Sequence, residues 1–335
     1  MITLSEPNGQ SNCWQKDYAA AITSLTALAE ILELPSKAIE NGEKADQQFK
    51  LKVPLDYVDC IEKGNIDDPL LRQILPVADE NRIMPGFVDD PVGDLNASPL
   101  PGLIHKYRHR VLLVTTPACA IHCRYCFRRH YPYSEGSANG FEFKQAISYI
   151  ESNKEISEVI LSGGDPLSLA DAQLEKLLQA LETIDHVKTL RFHSRLAVTL
   201  PSRMTPSLKL LMMNRRFKTV MVVHCNHPNE LSLEARSRLS HFANGPIMLL
   251  NQSVLLAGVN DDARILAKLS EHLFESGVLP YYLHMLDPVQ GAAHFEVSRN
   301  NAIIIMKKLQ KTLPGYLLPR LVEEIPGKPS KQTIF

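Results

Sequence analysis

The sequence predicts an α/β chain folded as a partial (β/α)6 barrel, and three observations predict it. From Arg110 onward, short β-branched apolar runs alternate with segments whose apolar residues recur at helical spacing. About six such units follow one another, fewer than the eight of a closed barrel. Polar and glycine-containing stretches collect just after the apolar runs, where the carboxyl ends of parallel strands gather functional groups.

Taken in order, residues 1–100 read as an N-terminal helical extension, 101–316 as the barrel and 317–335 as a C-terminal tail. Within the extension, Trp14 to Leu32 carries apolar residues at helical spacing, and Pro69 to Pro76 reads as a short helix bounded by prolines. A proline-rich loop runs from Pro85 through Pro101, and no residue of the extension carries evident chemistry. Strands are expected at Arg110–Thr116, Glu158–Ser162, Thr189–His193, Thr219–His224, Ile247–Ser253 and Tyr281–Asp287. Helices are expected at Phe143–Asn153, Ala172–Thr183, Pro206–Asn214, Leu231–His241, Ala263–Ser276 and Ser298–Thr312.

Composition narrows the function. A net charge of −1 over 335 residues gives no bulk electrostatic case for nucleic acid or an anionic membrane. The start, Met1 to Glu6, lacks a basic region followed by an apolar run, and no apolar stretch has bilayer length. Six cysteines in such a chain do not make a disulfide framework, so a reducing, cytoplasmic setting is expected. Cys13 and Cys60 read as free thiols, and Cys225 as a core residue on an apolar strand.

The remaining cysteines stand in Cys119-Ala-Ile-His-Cys123-Arg-Tyr-Cys126, spaced C-x₃-C-x₂-C directly after the first strand run. Three thiolates on one loop suit an iron–sulfur cluster, and three ligands leave one iron of a four-iron cluster open to a small molecule. The competing readings are a zinc knuckle completed by His122 or His130, or three ordinary buried cysteines. The spacing resembles that of the radical S-adenosylmethionine enzymes. The resemblance implies a [4Fe-4S] cluster whose open iron binds adenosylmethionine. Gly163-Gly164-Asp165-Pro166 then resembles the contact for its methionyl amino group, and Tyr125 stands where an aromatic lies near adenine or simply packs.

Further motifs recur in order: Arg191-x-x-Ser194-Arg195, His224-x-Asn226-His227-Pro228-Asn229-Glu230, Tyr281-Tyr282-x₄-Asp287 and Pro326-Gly327-x₃-Lys331. Together, from about Pro101 to Lys331, they resemble the lysine 2,3-aminomutase family. The resemblance implies that Lys331, rather than Lys328, holds pyridoxal 5′-phosphate covalently, so that the tail is cofactor-binding. It implies Lys106 and Arg110 as cations for that cofactor, with Lys106 replacing a family arginine. It extends the cofactor contacts to Ser194, Arg195, His224 and Gln252. It makes Arg128 the anchor of the substrate carboxylate, and Asp287 with Glu324 the holders of its ε-ammonium; Glu324 stands where the family has aspartate.

The chain ends four residues past Lys331 with no cysteine after Cys225. The zinc site on the C-terminal extension of clostridial-type aminomutases is therefore not expected. The shorter form resembles the bacterial enzymes that make (R)-β-lysine from free L-lysine for elongation factor P, where a partner ligase attaches the product. A reductant such as flavodoxin or ferredoxin is implied as well. An arginine-directed aminomutase stays open. A glutamate-directed one is disfavoured by the carboxylate at Asp287, and an iron–sulfur electron carrier would leave Arg128 and Lys331 without a task.

Overall fold

A computed structural model describes residues 13–40, 42–133 and 140–335. Among them the strands form a nine-stranded sheet in sequential order. These are β1 (Leu103–Tyr107), β2 (Arg110–Thr116), β3 (Glu158–Gly163), β4 (Thr189–Ser194), β5 (Lys218–His224), β6 (Met248–Val254), β7 (Leu279–His284), β8 (Arg320–Glu323) and β9 (Gln332–Thr333). Strands β2 to β8 pair in parallel, while β1 and β9 add antiparallel edges. Six helices return the chain between the parallel strands: α1 (Gly140–Ser152), α2 (Asp171–Glu182), α3 (Pro206–Met213), α4 (Leu233–Ala243), α5 (Ala263–Glu275) and α6 (Arg299–Thr312). The six expected strand–helix units are present, and β8 adds a seventh parallel strand.

Period-2 alternation sorts the strand residues. On β4, Leu190 and Phe192 are fully buried in the main core, which also holds Leu174, Leu177, Leu178 and Leu181 of α2. Arg191 and His193 fall on the opposite face. Side-chain caps start several helices: Thr205 for α3, Ser232 for α4, Asp262 for α5 and Ser298 for α6 each accept from a first-turn N–H. No helix among the described residues is long and apolar enough to cross a membrane.

The segment Trp14 to Leu32 is not one helix. It divides into Cys13–Ala19 and Leu25–Ile31, because Ile22 pairs with Val53 in both directions (2.8 and 3.0 Å) and Ser24 caps the second piece. The backbone at Ile22 takes its partners from another segment, which helical periodicity does not reveal. Leu28 of the second piece joins Leu51, Tyr57, Leu70 and Ile74 in a second apolar cluster, while Trp14 of the first lies in the main core. The short strands β1, β8 and β9 escape the sequence pattern, since five, four and two residues give too little alternation to read. Of the cysteines outside the loop, Cys60 is free, Cys225 lies in the main core, and the Cys13 side chain lies outside the described residues.

Candidate active site

The cysteine loop leaves β2 at a register irregularity between Val114 and Thr116. Its apolar residues anchor it in three places: Ala120 in the main core, Ile121 in the N-terminal cluster, and Tyr125 in a cluster with Leu256, Val289 and Phe295. The sulfurs of Cys119, Cys123 and Cys126 are thus carried on a clamped loop. Burial pushes the Cys119 thiol well up and Cys126 to about 11, with the neighbouring cysteines adding to both. A multi-iron cluster offers these sulfurs the metal that deprotonates them. Among the described residues no three His, Cys, Asp or Glu side chains converge on a single metal ion. His122 Nδ1 faces the Lys50 carbonyl at 2.7 Å and His130 Nε2 the Gln290 carbonyl at 3.1 Å.

The Gly-Gly-Asp-Pro turn presses against this loop. Gly163 has φ +116°, and a Cβ there would stand 2.8 Å from the Thr116 carbonyl oxygen; at Gly164 it would stand 2.4 Å from that of Ala118. The glycines therefore admit the cysteine loop's own backbone. Asp165 Oδ2 accepts from Ser194 Oγ (3.0 Å), Arg195 N (2.7 Å) and Leu196 N (3.1 Å), and Oδ1 from Leu167 N (3.0 Å). Burial raises its carboxyl to about 6 against these bonds. Asp165 and Ser194 thereby lock β3 to the end of β4.

Arg195 extends beneath the cysteines. Its Nη1 donates to Cys123 Sγ at 3.0 Å, and its Nη2 to Gln73 Oε1 (2.9 Å) and Glu230 Oε2 (3.2 Å). Its Nε is buried without a hydrogen-bond partner. Tyr125 packs edge-on against His224 and Phe295, and its hydroxyl accepts from Asn226 Nδ2 at 2.6 Å. Burial and Arg195 lower His224 to about 3, so its ring is neutral. Gln252 is half-buried at the matching level of β6, beside His224 in register.

The N-terminal extension packs buried polar side chains against the cysteine loop and the barrel interior. It supplies Gln73, and it supplies Glu80, which binds Arg124 (2.9 and 2.6 Å) and Arg129 (2.7 Å) from the cysteine loop. It also supplies Asp94, from the proline-rich loop. None of the three stands in a pattern that announces it; each is a lone polar residue whose burial depends on tertiary contacts. Tyr18 donates to the Cys119 carbonyl (2.9 Å).

A second polar group occupies the barrel interior. Arg128 Nε donates to Asp94 Oδ2 at 2.7 Å and its Nη1 to Ser162 Oγ at 3.3 Å. The other Asp94 oxygen lies 2.6 Å from Lys106 Nζ, which stands 3.6 Å from Glu324. Glu324 accepts from Tyr107 Oη (2.7 Å) and pairs with Lys331. Burial pushes the Asp94 and Glu324 carboxyls up, but their cationic partners outweigh it and hold both below the usual range. Asp287 differs: burial lifts it to about 7, only partly opposed by Lys331. Among the described residues its carboxylate has no hydrogen-bond or ion-pair partner, though its backbone carbonyl accepts from Val289 N at 2.7 Å. His193 and His284 also feel Lys331, burial holds both neutral, and the Nε2 of each is unpartnered. Arg110 lies against the Tyr107 ring at 4.4 Å. A half-buried amine, nearby cations and unpartnered imidazole nitrogens suit a phosphorylated aldehyde cofactor.

Residues 108–197 match a family described as a 4Fe-4S single cluster domain. The chain is 44% identical to the L-lysine 2,3-aminomutase of Escherichia coli over 99% of its own length and 96% of the relative's. The chain belongs to the lysine 2,3-aminomutase family. It is 45% identical to the Haemophilus influenzae L-lysine 2,3-aminomutase, covering 95% and 94% of the two chains. With that of Clostridium subterminale it shares 32% over 97% of this chain and 78% of the relative. The chain is thus an isomerase of the lysine 2,3-aminomutase family, and the cluster with adenosylmethionine is this family's cofactor pair. The structure brings Lys106, Arg128, Asp287, Glu324 and Lys331 into one interior. Asp165, Ser194 and Arg195 form a separate group beside the cysteines.

Proposed function

We propose that this chain converts L-α-lysine to (R)-β-lysine, with pyridoxal phosphate held on Lys331. The observation that supports it is a continuous run of charge, Arg128–Asp94–Lys106–Glu324–Lys331, each side chain within ion-pair distance of the next. It joins the expected carboxylate anchor to the expected cofactor lysine. When bound, the cluster with adenosylmethionine supplies a hydrogen-abstracting radical, and pyridoxal phosphate a π-system that stabilises the migrating nitrogen.

The chain's own residues do the positioning. Arg128 binds the α-carboxylate through its planar fork. Asp287, unpartnered and facing the interior, takes the ε-ammonium. Held at both ends, lysine presents C3 in fixed register; a misplacement of about 1 Å costs on the order of a hundredfold in rate. Glu324 holds the Lys331 ammonium in place, and the neutral His193 and His284 add no charge to the cavity. Lys106 and Arg110 balance the phosphate. The product is free (R)-β-lysine, destined for elongation factor P through its ligase, with flavodoxin or ferredoxin as electron source.

The test is an anaerobic assay of reconstituted protein with dithionite, adenosylmethionine and lysine, arginine or glutamate. β-Lysine as main product is expected, and β-arginine would overturn the substrate. Lys331→Ala should lose both turnover and the pyridoxal absorbance band; a retained band overturns the cofactor assignment.

A further inference from the structure

Of the three cluster-loop sulfurs, Cys123 has a buried cation as hydrogen-bond donor. Cys126 accepts from the backbone N–H of Arg128, and Lys52 acts on Cys119 only through space. The Arg195 guanidinium at Cys123 is 6% exposed and sits in a purpose-made cage. Glu230 and Gln73, 1% and 0% exposed, take its Nη2, and the rings of Tyr57 and Tyr125 lie 5.6 and 5.5 Å from its centre. Glu230 is itself fixed by Asn226 N, His227 N (both 3.0 Å) and Gln73 Nε2 (3.1 Å). Gln73 comes from the N-terminal extension, whose backbone also accepts from Arg124 N on the cysteine loop at 2.9 Å.

We propose that Arg195 sets the reduction potential of the cluster through its hydrogen bond to Cys123, and that Gln73 and Glu230 are positioning residues that keep it there. Hydrogen bonds to cluster sulfurs and nearby charge are among the levers that tune such potentials. One electron passes from a low-potential donor to the cluster, making it one unit more negative. A guanidinium in contact with a thiolate ligand stabilises that added charge, and its burial strengthens the effect. The N-terminal extension thereby acts on electron uptake, through Gln73, without touching substrate.

The inference rests on the cluster reading, which iron and sulfide content test separately from potential. The experiment is an EPR-monitored redox titration of reconstituted full-length protein with dithionite, without adenosylmethionine, so that any contact of Arg195 with that molecule plays no part. Arg195→Gln is expected to retain iron and to make reduction about tenfold less favourable, about 59 mV more negative for one electron. Arg195→Lys keeps the charge and loses the fork, so a smaller shift of the same sign is expected. An unmoved or more positive midpoint in an iron-loaded variant overturns the proposal. So does loss of iron from both variants while circular dichroism reports an intact fold, since Arg195 would then be only a structural support.

Discussion

Asp94 stands between Arg128 and Lys106, one oxygen on each, at 2.7 and 2.6 Å. A single buried carboxylate thus fixes the expected substrate anchor and an expected cofactor cation together. Asp94→Ala leaves the buried Arg128 without its ion-pair partner and Lys106 with only the more distant Glu324, at 3.6 Å. Stability should fall by about 3 kcal/mol, read from thermal melting, and KM for lysine should rise about tenfold as Arg128 loses its orientation. A KM within twofold of the parent would show that Arg128 is not a substrate anchor held by Asp94.

Asp287 should make lysine binding pH-dependent. Burial lifts its carboxyl to about 7, and binding an ammonium favours the ionised form. Below that value each binding event must release a proton, so Kd should increase about tenfold per pH unit as pH falls. Above it, Kd should level off. Calorimetric titration between pH 6 and 8 checks this, and Asp287→Asn should flatten the profile while weakening binding.

Gly164 tests the contact between the glycine turn and the cysteine loop. A methyl group there meets the Ala118 carbonyl oxygen at 2.4 Å, and that backbone leads directly into Cys119. Gly164→Ala should cost on the order of 1–3 kcal/mol and reduce iron per chain after reconstitution. Gly315→Ala, with nothing within 4 Å of the new methyl, should leave both unchanged.

Glu80 carries Arg124 and Arg129 on one buried carboxylate. Glu80→Gln removes the counter-charge of both and should destabilise by about 3–5 kcal/mol. Limited proteolysis should then cut within the cysteine loop, where the parent resists.

The alternation of β-branched runs and helical periodicity made the six-unit barrel readable, because each unit buries one sheet face and one helix stripe. The cysteine spacing made the cluster readable, because ligand geometry constrains sequence over a few residues. Asp94, Glu80 and Gln73 were not readable. Each belongs to an irregular segment and has a buried partner 34 to 157 residues away. Asp165 shows the converse: its motif was visible, and its oxygens accept from the Ser194 hydroxyl and from the N–H groups of Leu167, Arg195 and Leu196.

The sheet is open, and its two borders meet through side chains. Tyr107 and Lys106 on β1 reach Glu324, which also receives Lys331, the residue just before β9. The wall is therefore joined at this point by titratable groups rather than by a ladder of amides. A reaction that consumes the charge on Lys331 would release one partner of Glu324 and leave that carboxylate to Tyr107 and Lys106 of the first strand, so chemistry at the amine is felt at the seam.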